Sequence, residues 1–310
     1  MNYAQAGCAA LDRAMAADAR VVALGEDVGR GGIFGQYRGL QHKFGAARVI
    51  DTPISEATIM GAAVGMALAG LKPVVEMRVV DFALCAMDEI VNQAAKARFM
   101  FGGQGRVPLV ARLPIGLWSG SAAQHSQSLE AWFVHVPGLV VAAPATAQDN
   151  YSLLAAAIEC GDPVVYLEHK ELWGLEGEVT AEPVGLGKAR VVREGNDVTL
   201  VTWSRTVHTA LEAAGKTAAS VEVIDLRTLW PWDRETVFAS AAKTGRVLVV
   251  HEAVQVCGFG AEIAATLAEE LGITVKRLGA PRIPVGYSRP LEDEARVTVE
   301  AIAARLAAFS

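Results

Sequence analysis

The chain predicts an α/β fold in two units, each a parallel sheet flanked by helices. Short runs rich in valine, leucine and isoleucine alternate along the 310 residues with longer helical stretches, the pattern of parallel sheets covered on both faces. A stretch between residues 171 and 190 interrupts it with Gly174, Gly177, Pro183, Gly185 and Gly187, residues that mark loops rather than periodic elements. The alternation then restarts, and the length suits two domains.

Taken in order, the N-terminus moves from Met1 straight into an amphipathic helical pattern carrying Asp12 and Arg13, which predicts neither a signal peptide nor a transit segment. Val21–Gly25, Val74–Val80, Val107–Ala111, Leu139–Ala143 and Pro163–Leu167 read as buried strands, being short apolar runs with β-branched residues. Between them Ala57–Ala69, Cys85–Phe99 and Gln148–Cys160 read as helices. The second unit supplies strands at Asp197–Thr202, Val221–Leu226 and Arg246–His251, with helices at Thr206–Ala219, after Pro231 and at Ala261–Leu271. The expected domains are 1–180 and 181–310, the second of ordinary domain size. The chain has no internal repeat.

Composition narrows the function. With 52% hydrophobic and 20% charged residues, more surface is hidden than two isolated domains would hide, so subunit contacts are expected. A net charge of −6 offers no footprint for nucleic acid or an anionic membrane. The apolar run from Ala57 to Leu71 is shorter than the roughly 20 residues of a membrane span. Cys8, Cys85, Cys160 and Cys257 are far apart with no C-x-x-C pair, which predicts a reducing compartment and neither disulfide framework nor zinc site. A soluble, cytoplasmic protein is expected.

The most informative stretch is Asp51-Thr-Pro-Ile-Ser-Glu56, since from Ala57 to Leu71 no other charge follows. Two readings are open. Acids favour the first turn of a helix, where they complement its dipole. A lone carboxyl at an apolar wall also has its proton affinity raised by desolvation, which suits an acid working near neutral pH. Other chemistry-bearing residues follow strands: Glu26 and Asp27 in Gly25-Glu-Asp-Val-Gly29, Asp81-Phe82 after Val80, and His125 in Gln124-His-Ser-Gln-Ser128. Open α/β sheets place ligand sites at such carboxyl ends. His135, before Pro137-Gly138, reads as a turn residue, and His42, His169, His208 and His251 show no metal-ligand spacing with one another. Gly258-Phe-Gly260 opens like a dinucleotide-binding turn, but Ile263 stands where close helix packing requires glycine or alanine.

Eight blocks then match one family in order: Gly25-Glu-Asp-Val-Gly29, Gly39-Leu-Gln-His-Lys-Phe-Gly45, Asp51-Thr-Pro-Ile-Ser-Glu56, Asp88-Glu-Ile-Val-Asn-Gln-Ala-Ala-Lys96, His125-Ser-Gln-Ser128, His135-Val-Pro-Gly-Leu139, Ile224-Asp-Leu-Arg-Thr-Leu229 and Lys243-Thr-Gly-Arg246. Through them the chain resembles, almost end to end, the β subunits of the thiamine-diphosphate-dependent E1 component of 2-oxo acid dehydrogenase complexes, the pyruvate, branched-chain and acetoin group. The resemblance implies a transketolase-like pyrimidine-binding domain followed by a smaller transketolase C-terminal domain. It implies that Glu56 hydrogen-bonds N1′ of the aminopyrimidine, that Phe82 packs against that ring, that His125 lies near the reacting carbon, and that Glu26 carries protons between active sites.

The family's Gly-Asp-Gly and Asn-Asn diphosphate motif does not occur here, so Mg²⁺ is expected on a separate α subunit in an α2β2 assembly that serves a lipoyl-bearing E2. A K⁺ site through main-chain oxygens is implied at Leu109, Ala157, Ile158, Cys160 and Asp162, with Cys160 and Asp162 departing from the usual residues. Trp118, Arg78-Val-Val80 and Pro144-Ala-Thr-Ala-Gln also depart, which leaves open whether the substrate is a 2-oxo acid or acetoin. A split transketolase and a non-catalytic scaffold are the rival readings. The transketolase would show a Thr-His-Gln-Pro sequence where His125-Ser-Gln-Ser128 stands, and a scaffold needs no acid at N1′.

Overall fold

The structure, a computed structural model, describes residues 1–309. Helix α1 (Tyr3–Ala17) starts at a capping box in which Asn2 and Gln5 satisfy each other's backbone N–H groups, a strong start signal. It leads into β1 (Val21–Gly25), α2 (Leu40–Phe44), β2 (Val49–Asp51), α3 (Glu56–Leu68) and β3 (Lys72–Glu76). After a 3₁₀ segment at Val80–Ala86 and a π-turn at Glu89–Ala94 come α4 (Ala95–Met100), β4 (Val110–Ile115), α5 (Glu130–Val134), β5 (Val140–Ala142), α6 (Ala147–Glu159) and β6 (Val164–His169). The second half carries β7 (Arg190–Arg193), β8 (Val198–Thr202), α7 (Thr206–Gly215), β9 (Val221–Asp225), β10 (Thr228–Trp230), α8 (Arg234–Thr244), β11 (Arg246–Val254), α9 (Gly260–Leu271), β12 (Thr274–Ala280), α10 (Arg289–Glu294) and α11 (Val299–Ala307).

Two sheets result, with strand orders β10-β5-β6-β4-β3-β1-β2 and β12-β11-β8-β9-β7. Both are parallel apart from one antiparallel edge each, β10 on β5 and β7 on β9. Because side chains alternate along a strand, Val74, Val110 and Tyr166 face α1 and α6, while Val75, Ala111 and Val165 face α3 and the π-turn. The second of these cores runs on into the other sheet through Trp203, Val249 and Phe259, so the two halves share buried apolar surface. Among the described residues no helix is long and apolar enough to cross a membrane.

Several elements differ from the sequence reading. The strand expected at Val74–Val80 ends at Glu76, because Arg78 takes a left-handed backbone with φ 55° that a strand cannot continue through. The strand expected at Val107–Ala111 is shifted to Val110–Ile115; its Arg112 is fully buried and paired with Glu168 at 2.7 Å, which lets a charge sit inside a sheet. Cys85–Phe99 is no single helix but passes from 3₁₀ to π to α geometry. The elements β2, β7, β10 and β12 went unread, being short, half-exposed or on edges.

Candidate functional site

The carboxyl ends of the first sheet form one rim, and the fold aims four side chains there. Glu26 follows β1 directly. Gly25 has φ 149°, and a Cβ on it would lie 2.5 Å from the main-chain oxygen of Glu76 on β3, so only glycine lets the two strands close tightly before Glu26 turns out. Asp51, the last residue of β2, accepts from the Gly29 N–H at 2.7 Å. That bond ties the Glu26 loop to the segment that delivers Glu56. Glu56 opens α3 with no side-chain cap from Ser55, the place where the helix dipole favours an acid.

The rim holds two pairs. Burial pushes the Glu26 carboxyl up; Arg78 opposes the shift, and the neighbouring charges of Glu56 and Asp27 add to it. The charge of Glu56 therefore lies within electrostatic reach of Glu26, where it favours the protonated form of the Glu26 carboxyl. The second pair is aromatic: the Phe82 and His125 rings meet edge to face, 5.1 Å between centroids and 82° between planes, a favoured geometry. Phe82 is half-buried and His125 exposed. All four residues singled out in the sequence come to this one rim.

The dry wall expected around Glu56 is incomplete. Glu56 is half-buried, and Ala57, Thr58, Gly61, Ala62 and Gly65 on the outer face of α3 are exposed. The inner face is closed by Ile59, Met60, Ala63, Val64 and Ala67. Desolvation of Glu56 by this chain alone is therefore partial.

Two cations belong to the rim that the sequence reading did not assign. Arg78 Nη1 donates to Asp27 Oδ2 at 2.7 Å, and both residues have left-handed backbones. Lys170, directly after β6, is 2% exposed and its Nζ donates to the main-chain oxygen of His125. Burial lowers the Lys170 ammonium to about 8, against the attraction of Asp81, Glu252, Glu292 and Glu171. Asp81 in turn accepts from Gln127 Nε2 at 2.7 Å. The one available signal for Lys170 was its position at a strand's carboxyl end.

Trp118 meets Phe34 edge to face with centroids 5.1 Å apart and is 40% exposed. Of the main-chain oxygens named for K⁺, that of Leu109 accepts from Val164 N at 2.8 Å and that of Ala157 from Cys160 N at 3.3 Å. The Asp162 carboxylate pairs with Arg98 at 2.6 Å. Among the described residues no cluster of three or more His, Cys, Asp or Glu side chains is placed to hold a metal. Gly258 and Gly260 pack against His251, which a Cβ on either would approach to 2.6 and 2.9 Å, so these glycines serve packing inside the second domain.

The chain matches the family described as "Transketolase, pyrimidine binding domain" over residues 1–174 and "Transketolase, C-terminal domain" over residues 187–302. It is 44% identical over 307 residues to the pyruvate dehydrogenase E1 component subunit beta-1, mitochondrial, of Arabidopsis thaliana, covering 94% of this chain and 85% of that one. It is 42% identical over 304 residues to the acetoin:2,6-dichlorophenolindophenol oxidoreductase subunit beta of Cupriavidus necator, with 92% and 90% covered. To the 2-oxoisovalerate dehydrogenase subunit beta of Bacillus subtilis it is 41% identical over 324 residues, with 100% and 99% covered. In fold it is similar to a split gene transketolase, an inactive beta4 tetramer, with a TM-score of 0.81, 23% identity and coverage of 98% and 96%. With 41–44% identity along nearly the whole chain and both domains matched in order, this protein belongs to the transketolase-like family of E1 β subunits of 2-oxo acid dehydrogenase complexes.

Proposed function

We propose that this chain, with an α subunit in an α2β2 assembly, decarboxylates a small 2-oxo acid, pyruvate or a branched-chain one, and passes the acyl group to the lipoamide of an E2 acyltransferase. The observation that carries the reading is the convergence of Glu26, Glu56, Phe82 and His125 on one strand-end rim. Thiamine diphosphate, when bound, supplies the carbon nucleophile and electron sink that such a decarboxylation needs. The residues suit its aminopyrimidine half: an acid at a helix start, a half-buried aromatic face and an apolar helix wall.

In this reading Glu56 holds a proton at N1′ of the aminopyrimidine. Phe82 orients the ring by packing on it. His125, exposed at the rim, stands toward the substrate and moves a proton there, and Glu26 shares protons with Glu56. The α subunit holds Mg²⁺ and the diphosphate, and it completes the apolar wall that Ala57 to Gly65 leave open. The reading extends to K⁺ at the main-chain oxygens of Leu109, Ala157, Ile158, Cys160 and Asp162, to domains divided at 180/181, and to a cytoplasmic enzyme.

Glu56→Ala, assembled with the cognate α chain at saturating thiamine diphosphate, is expected to lose about 10²–10⁴-fold in turnover, the usual worth of a positioned acid. Normal turnover of that variant would sink the reading. Turnover with pyruvate, branched-chain 2-oxo acids and acetoin then chooses the substrate. Acetoin as the sole substrate would move the chain to the acetoin branch of the family.

A further inference from the structure

The segment between β4 and α5, residues 116–129, carries both Trp118 and His125, and it does little to hold itself. Its internal backbone bonds are few: Gly116 N to Gln127 O at 3.0 Å, Ser121 N to Trp118 O at 3.1 Å and His125 N to Ala122 O at 3.4 Å. Ser119 and Ala122 take left-handed backbones with φ 47° and 61°, conformations that persist only where surroundings impose them. On one side the segment is tied to its own domain, through Lys170 and Asp81.

On the other side every tie comes from the second domain. At the start, Leu117 N–H donates to Glu252 Oε1 at 2.9 Å. In the middle, Gly120 N–H donates to Glu292 Oε1 at 2.9 Å. Just past the end, Trp203 Nε1 donates to Oε1 of Glu130, the first residue of α5, at 3.2 Å.

The three anchors are themselves fixed. Glu252 has both carboxylate oxygens 2.9 Å from His169 Nε2, and His169 Nδ1 accepts from Glu171 N–H at 3.1 Å, so the His169 proton sits on Nε2 and is donated to Glu252. Glu292 is fully buried. Its Oε2 has no hydrogen-bond partner among the described residues and lies 3.9 Å from Arg289 Nη1, so among those residues its side chain's one hydrogen bond goes to the segment. Trp203 is 2% exposed and stacked on His251 at 5.3 Å. A cavity of about 410 Å³ lies between the segment and residues 280–285, lined among others by Leu117, Gln127, Glu252 and Arg282. Without the ties the segment has space into which it can shift.

We propose that the second domain is the positioning scaffold of the His125 segment, with Glu252, Glu292 and Trp203 as its positioning residues. The role given to His125 rests on the reading above. A hydrogen-bond acceptor is what Gly120 needs, not a charge, and that separates positioning from general support of the interface.

The test compares Glu292→Gln with Glu292→Leu in the chain assembled with its α subunit. Glutamine keeps an acceptor for Gly120, and turnover within about twofold of wild type is expected. Leucine removes it, and kcat is expected to fall at least tenfold with KM for thiamine diphosphate little changed, since a small misplacement of a reacting group costs about that much or more. Amide exchange of residues 117–128 is expected to rise in the leucine variant, while that of the β4 and β6 strands stays as it was.

If Glu292→Leu does not assemble, Trp203→Phe is measured in the same way, with the exchange increase centred on residues 128–131. Wild-type kcat together with wild-type protection of 117–128 would overturn the proposal, and so would equal losses in the glutamine and leucine variants. His125→Ala runs beside them. Full turnover there would remove the role of His125, while the exchange measurement would still report on the scaffold.

Discussion

One sheet carries two groups of polar residues that behave in opposite ways. Inside the sheet, on the α1/α6 side, Arg112 and Glu168 are fully buried and joined by two bonds, Nε to Oε2 at 2.8 Å and Nη2 to Oε1 at 2.7 Å. Asn150 donates to Glu168 at 3.1 Å and accepts from Tyr166 at 3.0 Å, the Arg112 guanidinium lies 4.9 Å over the Tyr37 ring, and Glu76 stands beside it in register on β3. At the strand ends Glu26, Glu56 and His125 have few partners and remain partly or fully exposed. The interior group makes its charged pair within one chain, although Arg112 Nη1 and Glu76 Oε2 have no hydrogen-bond partner among the described residues. The rim group finds few partners within this chain, and in the proposed reading this separates polar residues kept for the fold from those kept for chemistry.

Breaking the interior group should cost the fold, with no rim residue touched. Arg112→Met leaves Glu168 and Glu76 without their cation, and removal of one partner from a buried pair costs about 3–5 kcal/mol. Denaturant unfolding should show that loss. Glu56→Ala should stay within about 1 kcal/mol of wild type in the same experiment, the worth of an acid in a helix's first turn. Equal costs would erase the distinction between the two regions.

A smaller effect comes from Glu76, whose carboxyl burial pushes up to about 7 from an ordinary 4.5, Arg112 notwithstanding. The native state then holds a proton between those values that the unfolded chain has released. Stability contributed by this group therefore falls as pH rises from 4.5 through 7. Glu76→Gln lacks that dependence. Its stability relative to wild type should rise across the window by up to about 3 kcal/mol, and melting curves at pH 5 and pH 8 would show it. A constant offset would mean that Glu76 is ionised throughout.

The smallest effect should come from Arg78 at the rim. Arg78→Gln removes the charge that opposes the upward shift of Glu26, so Glu26 should titrate at higher pH, visible by carbon NMR of its carboxyl. Stability should change by less than about 1 kcal/mol, because the pair with Asp27 is partly exposed. An unmoved Glu26 would break the link between the two residues.

The rim was legible in the sequence because it obeys a topological rule: open parallel sheets place ligand sites at the carboxyl ends of their strands, and Glu26, Phe82 and His125 each follow a strand. Glu56 was legible as a lone acid before an apolar helix. The interior group was not, because Arg112 reads as an interruption of an apolar run and its partner Glu168 lies 56 residues away. Lys170, Glu252 and Glu292 were missed for the same reason. Each reaches the segment through one hydrogen bond from a distant part of the chain, and no local pattern records it. The irregular course from Val80 to Met100 was hidden by helix propensity that the local packing overrides.

One strand has a consequence for any attempt to divide the protein. Residues Thr228–Trp230 come from the second half of the chain, yet they form the outer strand of the first sheet, antiparallel to β5. A fragment stopping before residue 187 would leave β5 as a bare edge, with Val140, Val141 and Ala142 offered to any passing strand, the surface from which edge-to-edge aggregation begins. The two halves match separate domain models, yet dividing the chain between them is expected to leave fragments prone to aggregate.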